Sequence, residues 1–235
     1  MKSNFFKGIV HGIPIALGYL SVSFGFGILA VKSGLSVLCA TLISVTNLTS
    51  AGQVAGVGII AAGGSLAEMG LTQLVINIRY ALMAISLSQK TDRSFSLPKR
   101  LLAAYGITDE IFAVASSQPN RIKASYMYGL ILISFLGWAT GTLLGASAGQ
   151  LLPVDITNAM GIVLYGMFLA IIIPPARKSR KVLAVVTVAA VISILFKYLI
   201  TVFSSGFAVI ISAVVASAFG ALLFPVDIDE EVDEQ

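Results

Sequence analysis

Residues 44–64 read SVTNLTSAGQVAGVGIIAAGG, and the fold turns on how that stretch is understood. It lies in a long apolar run, residues 35–62, and interrupts it with Thr46, Asn47, Thr49, Ser50, Gly52 and Gln53. An unpaired amide or backbone group in hydrocarbon costs several kcal/mol. A helix facing only lipid has no use for such groups, so this segment is buried in protein or lines a cavity. Two readings stand. One is a broken helix that builds a substrate site near the membrane midplane. The other is a kinked packing helix whose small residues let neighbours approach closely.

The surroundings place the segment in a membrane. Of 235 residues, 57% are hydrophobic and only 11% charged, against about a quarter charged in soluble domains. Several charge-free stretches reach the ~18 residues needed to cross a bilayer core. The expectation is an all-α polytopic transmembrane helix bundle, with about six full spans and two broken or re-entrant segments. It forms one transport domain over residues 1–226, followed by an acidic, disordered cytoplasmic tail at 227–235. That tail holds six of the eleven acidic residues. The rest of the chain therefore sets fifteen bases against five acids. In a membrane protein such an excess reads as topology, because Lys and Arg collect in cytoplasmic loops; no nucleic-acid partner is implied. Cys39 is the single cysteine and His11 the single histidine. Together they exclude an internal disulfide and make a Cys/His zinc site untenable. No cofactor is expected.

The first span, residues 9–31, contains Pro14, and its Gly18 and Gly25 fall on nearly one face, which predicts a close helix contact. His11 lies about a turn from the membrane edge. The loop 89–100 carries Lys90, Arg93, Lys99 and Arg100, and the N-terminus carries Lys2 and Lys7. Both should be cytoplasmic, which requires an even number of crossings between them. With spans at 9–31 and 66–87, the segment 35–62 becomes a re-entrant hairpin; the alternative, a single broken span, violates the charge rule once, and if both broken segments cross fully the chain has eight spans.

The helix 66–87 is the most polar of the spans. Gln73, Asn77 and Tyr80 are spaced i, i+4, i+7 and form one stripe. Arg79 lies well inside, at a cost of about 2.5–3.5 kcal/mol on insertion scales, so it must pair or face water. Glu68 lies near one end, where it can reach the interface. The next apolar stretch, residues 101–117, offers Asp109 and Glu110. Adjacent carboxylates point about 100° apart on a helix, so one can pair with Arg79 while the other holds a proton or faces solvent. Gly106 and Thr108 also suit a helix start, with Thr108 or Asp109 as cap and Glu110 in the first turn. The loop 118–123 carries Arg121 and Lys123, which makes 101–117 a second re-entrant or half-spanning element. Span 124–149 has Gly137, Gly141 and Gly145 at i+4 spacing, a packing face, and Trp138 at mid-span. Spans 156–173, 182–200 and 206–224 follow, with a basic cluster at Arg177, Lys178, Arg180 and Lys181.

Three blocks make the chain resemble the AzlC/YgaZ family of branched-chain amino-acid permeases. They are Ile13-Pro-Ile15 with Ser23-Phe-Gly25-Phe-Gly27, the small-residue run ending in Gln53 with Asn77-Ile-Arg79-Tyr80, and Tyr105-Gly-Ile-Thr-Asp109-Glu110-Ile-Phe112. Two departures stand out: Tyr80 where the family usually has histidine, and Thr49-Ser-Ala-Gly52-Gln53 where it has Ala-Gly-Ala-Ser-Gln. The resemblance implies proton-driven efflux of leucine, isoleucine, valine and sometimes methionine across the plasma membrane, with both termini cytoplasmic. It also implies a small partner subunit of the AzlD/YgaH type in the same bilayer. On the residues, the site is expected at Asn47, Ser50, Gly52, Gln53, Asn77, Arg79 and Tyr80, with Asp109 and Glu110 for proton coupling or an ion pair with Arg79. A passive channel and a non-transporting subunit remain the alternatives. An enzyme is not expected, because no nucleophile–base pair or metal-ligand spacing falls within the spans.

Overall fold

The structure, a computed structural model, describes residues 4–149, 166, 169, 172–199 and 205–224. The expected span 156–173 lies largely outside the described residues, and the acidic tail 227–235 entirely so. In chain order the helices are α1 (Asn4–Lys32), α2 (Val37–Thr46), α3 (Ser50–Ala61), α4 (Leu66–Gln89), α5 (Leu97–Tyr105), α6 (Asp109–Ser116), α7 (Ala124–Ala148), α8 (Arg180–Tyr198) and α9 (Ser205–Leu223). Among the described residues α1, α4, α7, α8 and α9 are long and apolar enough to cross a membrane. This is a helical membrane bundle.

Its frame is the parallel pair α1 and α7. A Cβ on Gly8 or Gly12 would run into the backbone of Tyr126 or Leu130. Further along, one on Gly137, Gly141 or Gly145 would run into the backbone of Ala16, Leu20 or Phe24. The contacts advance together along both helices, so the two run the same way. The i+4 glycines of α7 thus form the packing face that their spacing predicts, and its partner across the seam is α1 of the same chain. On α1 the seam differs from expectation. Gly18 has no atom within 4 Å of where its Cβ would sit, and Gly8, Gly12 and Gly27 make the close approach instead. Pro14 lies inside α1 without ending it.

Helix lengths and contacts settle how the short helices run. At 1.5 Å per residue, α2 and α3, of 10 and 12 residues, each reach about half of a ~30 Å bilayer core. α1 leaves the end of the molecule that holds Lys7. α4 returns to it, because its C-terminal loop is tied to the loop before α7: Ile122 N–H donates to Lys90 C=O at 2.9 Å and Asp92 N–H to Ile122 C=O at 3.0 Å. The α2–α3 pair must therefore enter and leave from the opposite end. The α5–α6 pair (9 and 8 residues) starts and finishes at the Lys7 end. Both are re-entrant hairpins, and they point at each other from opposite ends. α5 starts earlier than the sequence suggests, at Leu97, because Ser96 and Pro98 make a helix start inside what reads as loop.

The C-terminal helices follow the same polarity. Gly206 N–H at the start of α9 donates to Glu68 Oε1 at the start of α4, at 3.1 Å. A Cβ on Gly220 would touch Val185, so α8 and α9 are antiparallel. Lys7, the loop 90–100, the loop 118–123 and the cluster 177–181 consequently share one end of the molecule. Glu68 does not reach solvent as expected. It is 4% exposed, because its carboxylate meets the first amides of α9, where a negative charge is favoured. At the basic end, the Ser94 hydroxyl and amide hydrogen-bond Asp92 and hold its carboxyl below the usual range.

Candidate functional site

The two hairpin tips meet. The α2–α3 break runs through Asn47, Leu48 and Thr49, with Asn47 and Thr49 both in extended backbone conformations. Thr49 Oγ1 donates to Asn47 Oδ1 at 2.6 Å, so the two polar side chains of the break satisfy each other. Thr49 makes no capping bond, which leaves the first amides of α3 uncapped. The opposing break is Gly106-Ile107-Thr108. Thr108 Oγ1 accepts the Ile111 N–H at 3.4 Å, and this places Asp109 and Glu110 in the first turn of α6, where the helix dipole favours them. The tips are joined by the Tyr105 hydroxyl, which donates to the Val45 carbonyl that the α2 end leaves free.

Between the tips lies a cavity of about 10 Å³, lined by Tyr19, Leu48, Ser50, Tyr80, Thr108, Asp109, Glu110 and Trp138. That is room for about one water. Arg79 reaches the same place from α4: its Nη1 donates to Asp109 Oδ2 at 2.5 Å, and its Nη2 to Tyr80 Oη at 3.2 Å. Its guanidinium carbon also lies 4.9 Å from the Tyr80 ring centroid. Asp109 is thus the acid that pairs with Arg79, and Glu110 is turned elsewhere. Glu110 Oε2 and Thr108 Oγ1 both lie 2.5 Å from Tyr19 Oη. One phenol proton serves one of them. Given to the Glu110 carboxylate, it leaves Thr108 to donate its own proton to Tyr19. Tyr19 packs edge-on against Trp138, with centroids 5.2 Å apart, and the buried indole N–H of Trp138 has no acceptor among the described residues.

The expected site residues therefore fall into two groups. Ser50, Tyr80, Asp109 and Glu110 line the cavity, and Arg79 joins them through Asp109. Gly52, Gln53 and Asn77 sit in a second polar network that braces the hairpin. Gln73 Nε2 donates to the Gly52 carbonyl at 2.8 Å, and Asn77 Nδ2 to Gln73 Oε1 at 2.9 Å. Gln53 Nε2 donates to Ser44 Oγ at 2.9 Å, and Ser44 lies 2.7 Å from Thr142 Oγ1 on α7. Asn47 closes the break itself. Sequence reasoning missed Tyr19, Leu48, Ser44 and Thr142. Tyr19 had a signal, a phenol in the middle of an apolar span, where a hydroxyl needs a partner. Leu48, Ser44 and Thr142 had none.

Opposed half-helices, the α3 end uncapped, with an Arg–Asp pair and a small cavity between them define a polytopic membrane protein with a site at the meeting of two re-entrant hairpins. The chain belongs to the AzlC family: the profile of the family described as AzlC protein matches residues 14–152, more than half of the chain. It is similar to the inner membrane protein YgaZ of Escherichia coli K12, with 30% identity over 197 residues, which covers 81% of this chain and 80% of that one. It is also similar to an uncharacterized membrane protein of Archaeoglobus fulgidus, with 32% identity over 192 residues (81% and 84% covered). An uncharacterized membrane protein of Helicobacter pylori matches at 26% over 175 residues (73% and 75% covered). No solved structure matches. Family membership points to a transport-related membrane function.

Proposed function

We propose that this protein is a secondary transporter that exports small neutral amino acids, branched-chain ones among them, by alternating access around the two hairpin tips. The observation that carries this reading is the small cavity where Arg79–Asp109 and Tyr19–Glu110 meet two broken helices. An amino acid needs one partner for its carboxylate and one for its ammonium. Arg79, released by Asp109, takes the carboxylate, helped by the uncapped α3 amides near Ser50 and the unpartnered Trp138 N–H. Glu110, released by Tyr19, takes the ammonium. Gly52, Gln53 and Asn77 hold the hairpin that presents Ser50, and Asn47 shapes its break.

The proposal includes proton coupling at Glu110. Its carboxylate holds either a proton or the ammonium, so proton and substrate compete for one place. Mutual exclusion of this kind is what an exporter driven by inward proton flow requires. The cavity as it stands is too small for an amino acid, so in this reading the tips part to admit one. The proposed setting is the plasma membrane, with the basic end and both termini in the cytoplasm. A small membrane subunit of the AzlD/YgaH type is the proposed partner.

Counterflow of radiolabelled leucine in proteoliposomes, with and without that subunit, tests the reading. Saturable exchange competed by isoleucine and valine supports a carrier. Folded protein that shows no exchange in either preparation refutes it. Glu110→Gln is expected to abolish accumulation driven by a pH gradient while retaining some exchange; unchanged pH-driven accumulation would remove the coupling role.

A further inference from the structure

At the basic end a pocket of about 300 Å³ opens between the first turn of α1, the loop before α7 and the start of α7, far along the chain from the cavity residues of α4. Lys7, Arg121 and Lys123 line it together with Asn4, Asn120 and Tyr126. The three cations come from two segments, Lys7 from α1 and Arg121 and Lys123 from the loop before α7, and none has a carboxylate within 4 Å among the described residues. Asp92 in the facing loop attracts Lys123 and Lys99, and Ser94 bonds one of its two oxygens, Oδ1; a single acid leaves the pocket's three cations in excess. Lys123 is also the N-cap residue of the 25-residue α7 and supplies no capping bond. The positive end of that helix dipole thus adds to the three side-chain charges. Convergent cations repel one another unless an anion joins them.

Phe5 and Phe6, beside Lys7 on α1, are 38% and 45% exposed, apolar surface next to the pocket that suits contact with lipid. Basic pockets at the cytoplasmic edge of helix bundles suit phosphate-bearing headgroups. Asn4 and Asn120 add amide donors for phosphate oxygens that the cations leave free.

We propose that Lys7, Arg121 and Lys123 form a binding site for a phosphate anion, carried by an anionic phospholipid headgroup or free in the cytoplasm. The site is independent of the transport reading. The test is thermal unfolding of the purified full-length protein in detergent. The probes are short-chain phosphatidylglycerol, short-chain phosphatidylcholine, glycerol phosphate and inorganic phosphate. Wild type is compared with Lys7→Gln/Arg121→Gln/Lys123→Gln and with the charge-matched control Arg177→Gln/Lys178→Gln/Arg180→Gln. The expected result is a saturable rise of about 2–4 °C with phosphatidylglycerol, retained in the control and lost in the pocket variant. Protection by phosphatidylglycerol alone identifies a lipid site; equal protection by glycerol phosphate or inorganic phosphate identifies a free-anion site. No probe protecting wild type beyond the pocket variant overturns the proposal, and so does equal loss in the control. Native mass spectrometry of wild type needs no variant: retention of phosphatidylglycerol no greater than that of phosphatidylcholine, with no phosphate adduct, overturns it as well.

Discussion

The α1–α7 seam and the hairpin tips lie side by side and are held in opposite ways. Along the seam, backbone meets backbone through Gly8, Gly12, Gly137, Gly141 and Gly145, and no added methyl fits. At the tips, backbone is interrupted, and the contacts are hydrogen bonds and one ion pair between side chains that can each take another partner. Close-packed interfaces transmit strain and do not deform gradually. Exchangeable polar contacts can be broken one at a time and made again with a ligand. The seam is thus built as a frame and the tips as the element that moves against it. Tyr19 belongs to both, since it rises from the frame helix α1 and bonds the tip at Glu110 and Thr108.

The hardest test of this contrast is on the seam. Gly145→Leu forces a side chain into the Phe24 backbone. Overpacking of well-packed cores costs about 1–3 kcal/mol, occasionally more, and here the obstacle is backbone. The expected outcome is loss of folded, monodisperse protein in size-exclusion chromatography. Gly18→Ala, on the same frame but in open space, should behave as wild type. Equal tolerance at both positions would break the distinction.

At the tips the expected damage is to transport, with folding kept. Arg79→Ala removes the partner of Asp109, and transport should fall by about tenfold or more, the scale of one lost charge-assisted hydrogen bond. Arg79→Gln/Asp109→Asn removes both charges, so no carboxylate is left unpaired. It should recover thermal stability relative to Arg79→Ala without recovering transport. Recovery of both would reduce the pair to a structural brace.

Much of this arrangement was legible in the sequence, and the boundary of legibility has a physical cause. The basic loops imply an even crossing count, which favours a re-entrant 35–62 over a single broken span, and the structure has the hairpin. Arg79 demanded a partner, and Asp109 and Glu110 were the acids available within the spans, because charge is too costly in a membrane to be placed idly. The i+4 glycines of α7 announced a packing face. What the sequence hid was the choice between near-equivalent groups. Nothing in Asp109-Glu110 says which one faces Arg79, since that depends on where Thr108 starts the helix. Gln53 and Asn77 read as ligands because a polar residue in an apolar run signals a buried partner without saying which. On α1 the limit is related: a shared face does not say which glycine meets a neighbour, and packing against α7 selects Gly8, Gly12 and Gly27 while Gly18 faces open space.

The finest test falls where frame and tip are joined. Tyr19→Phe keeps the ring against Trp138 and removes only the hydroxyl between Glu110 and Thr108. Loss of one hydrogen bond predicts about 1 kcal/mol of stability, which is small beside the seam variants. Its effect on function separates two roles for the phenol. If the hydroxyl closes the site by holding Glu110, the variant opens more readily, and leucine counterflow should speed up several-fold at unchanged pH dependence. If the phenol only fills space beside the half-buried Glu110 side chain, counterflow should keep its wild-type rate. The two outcomes differ in rate, so one counterflow series on one conservative variant decides between a latch and a packing group.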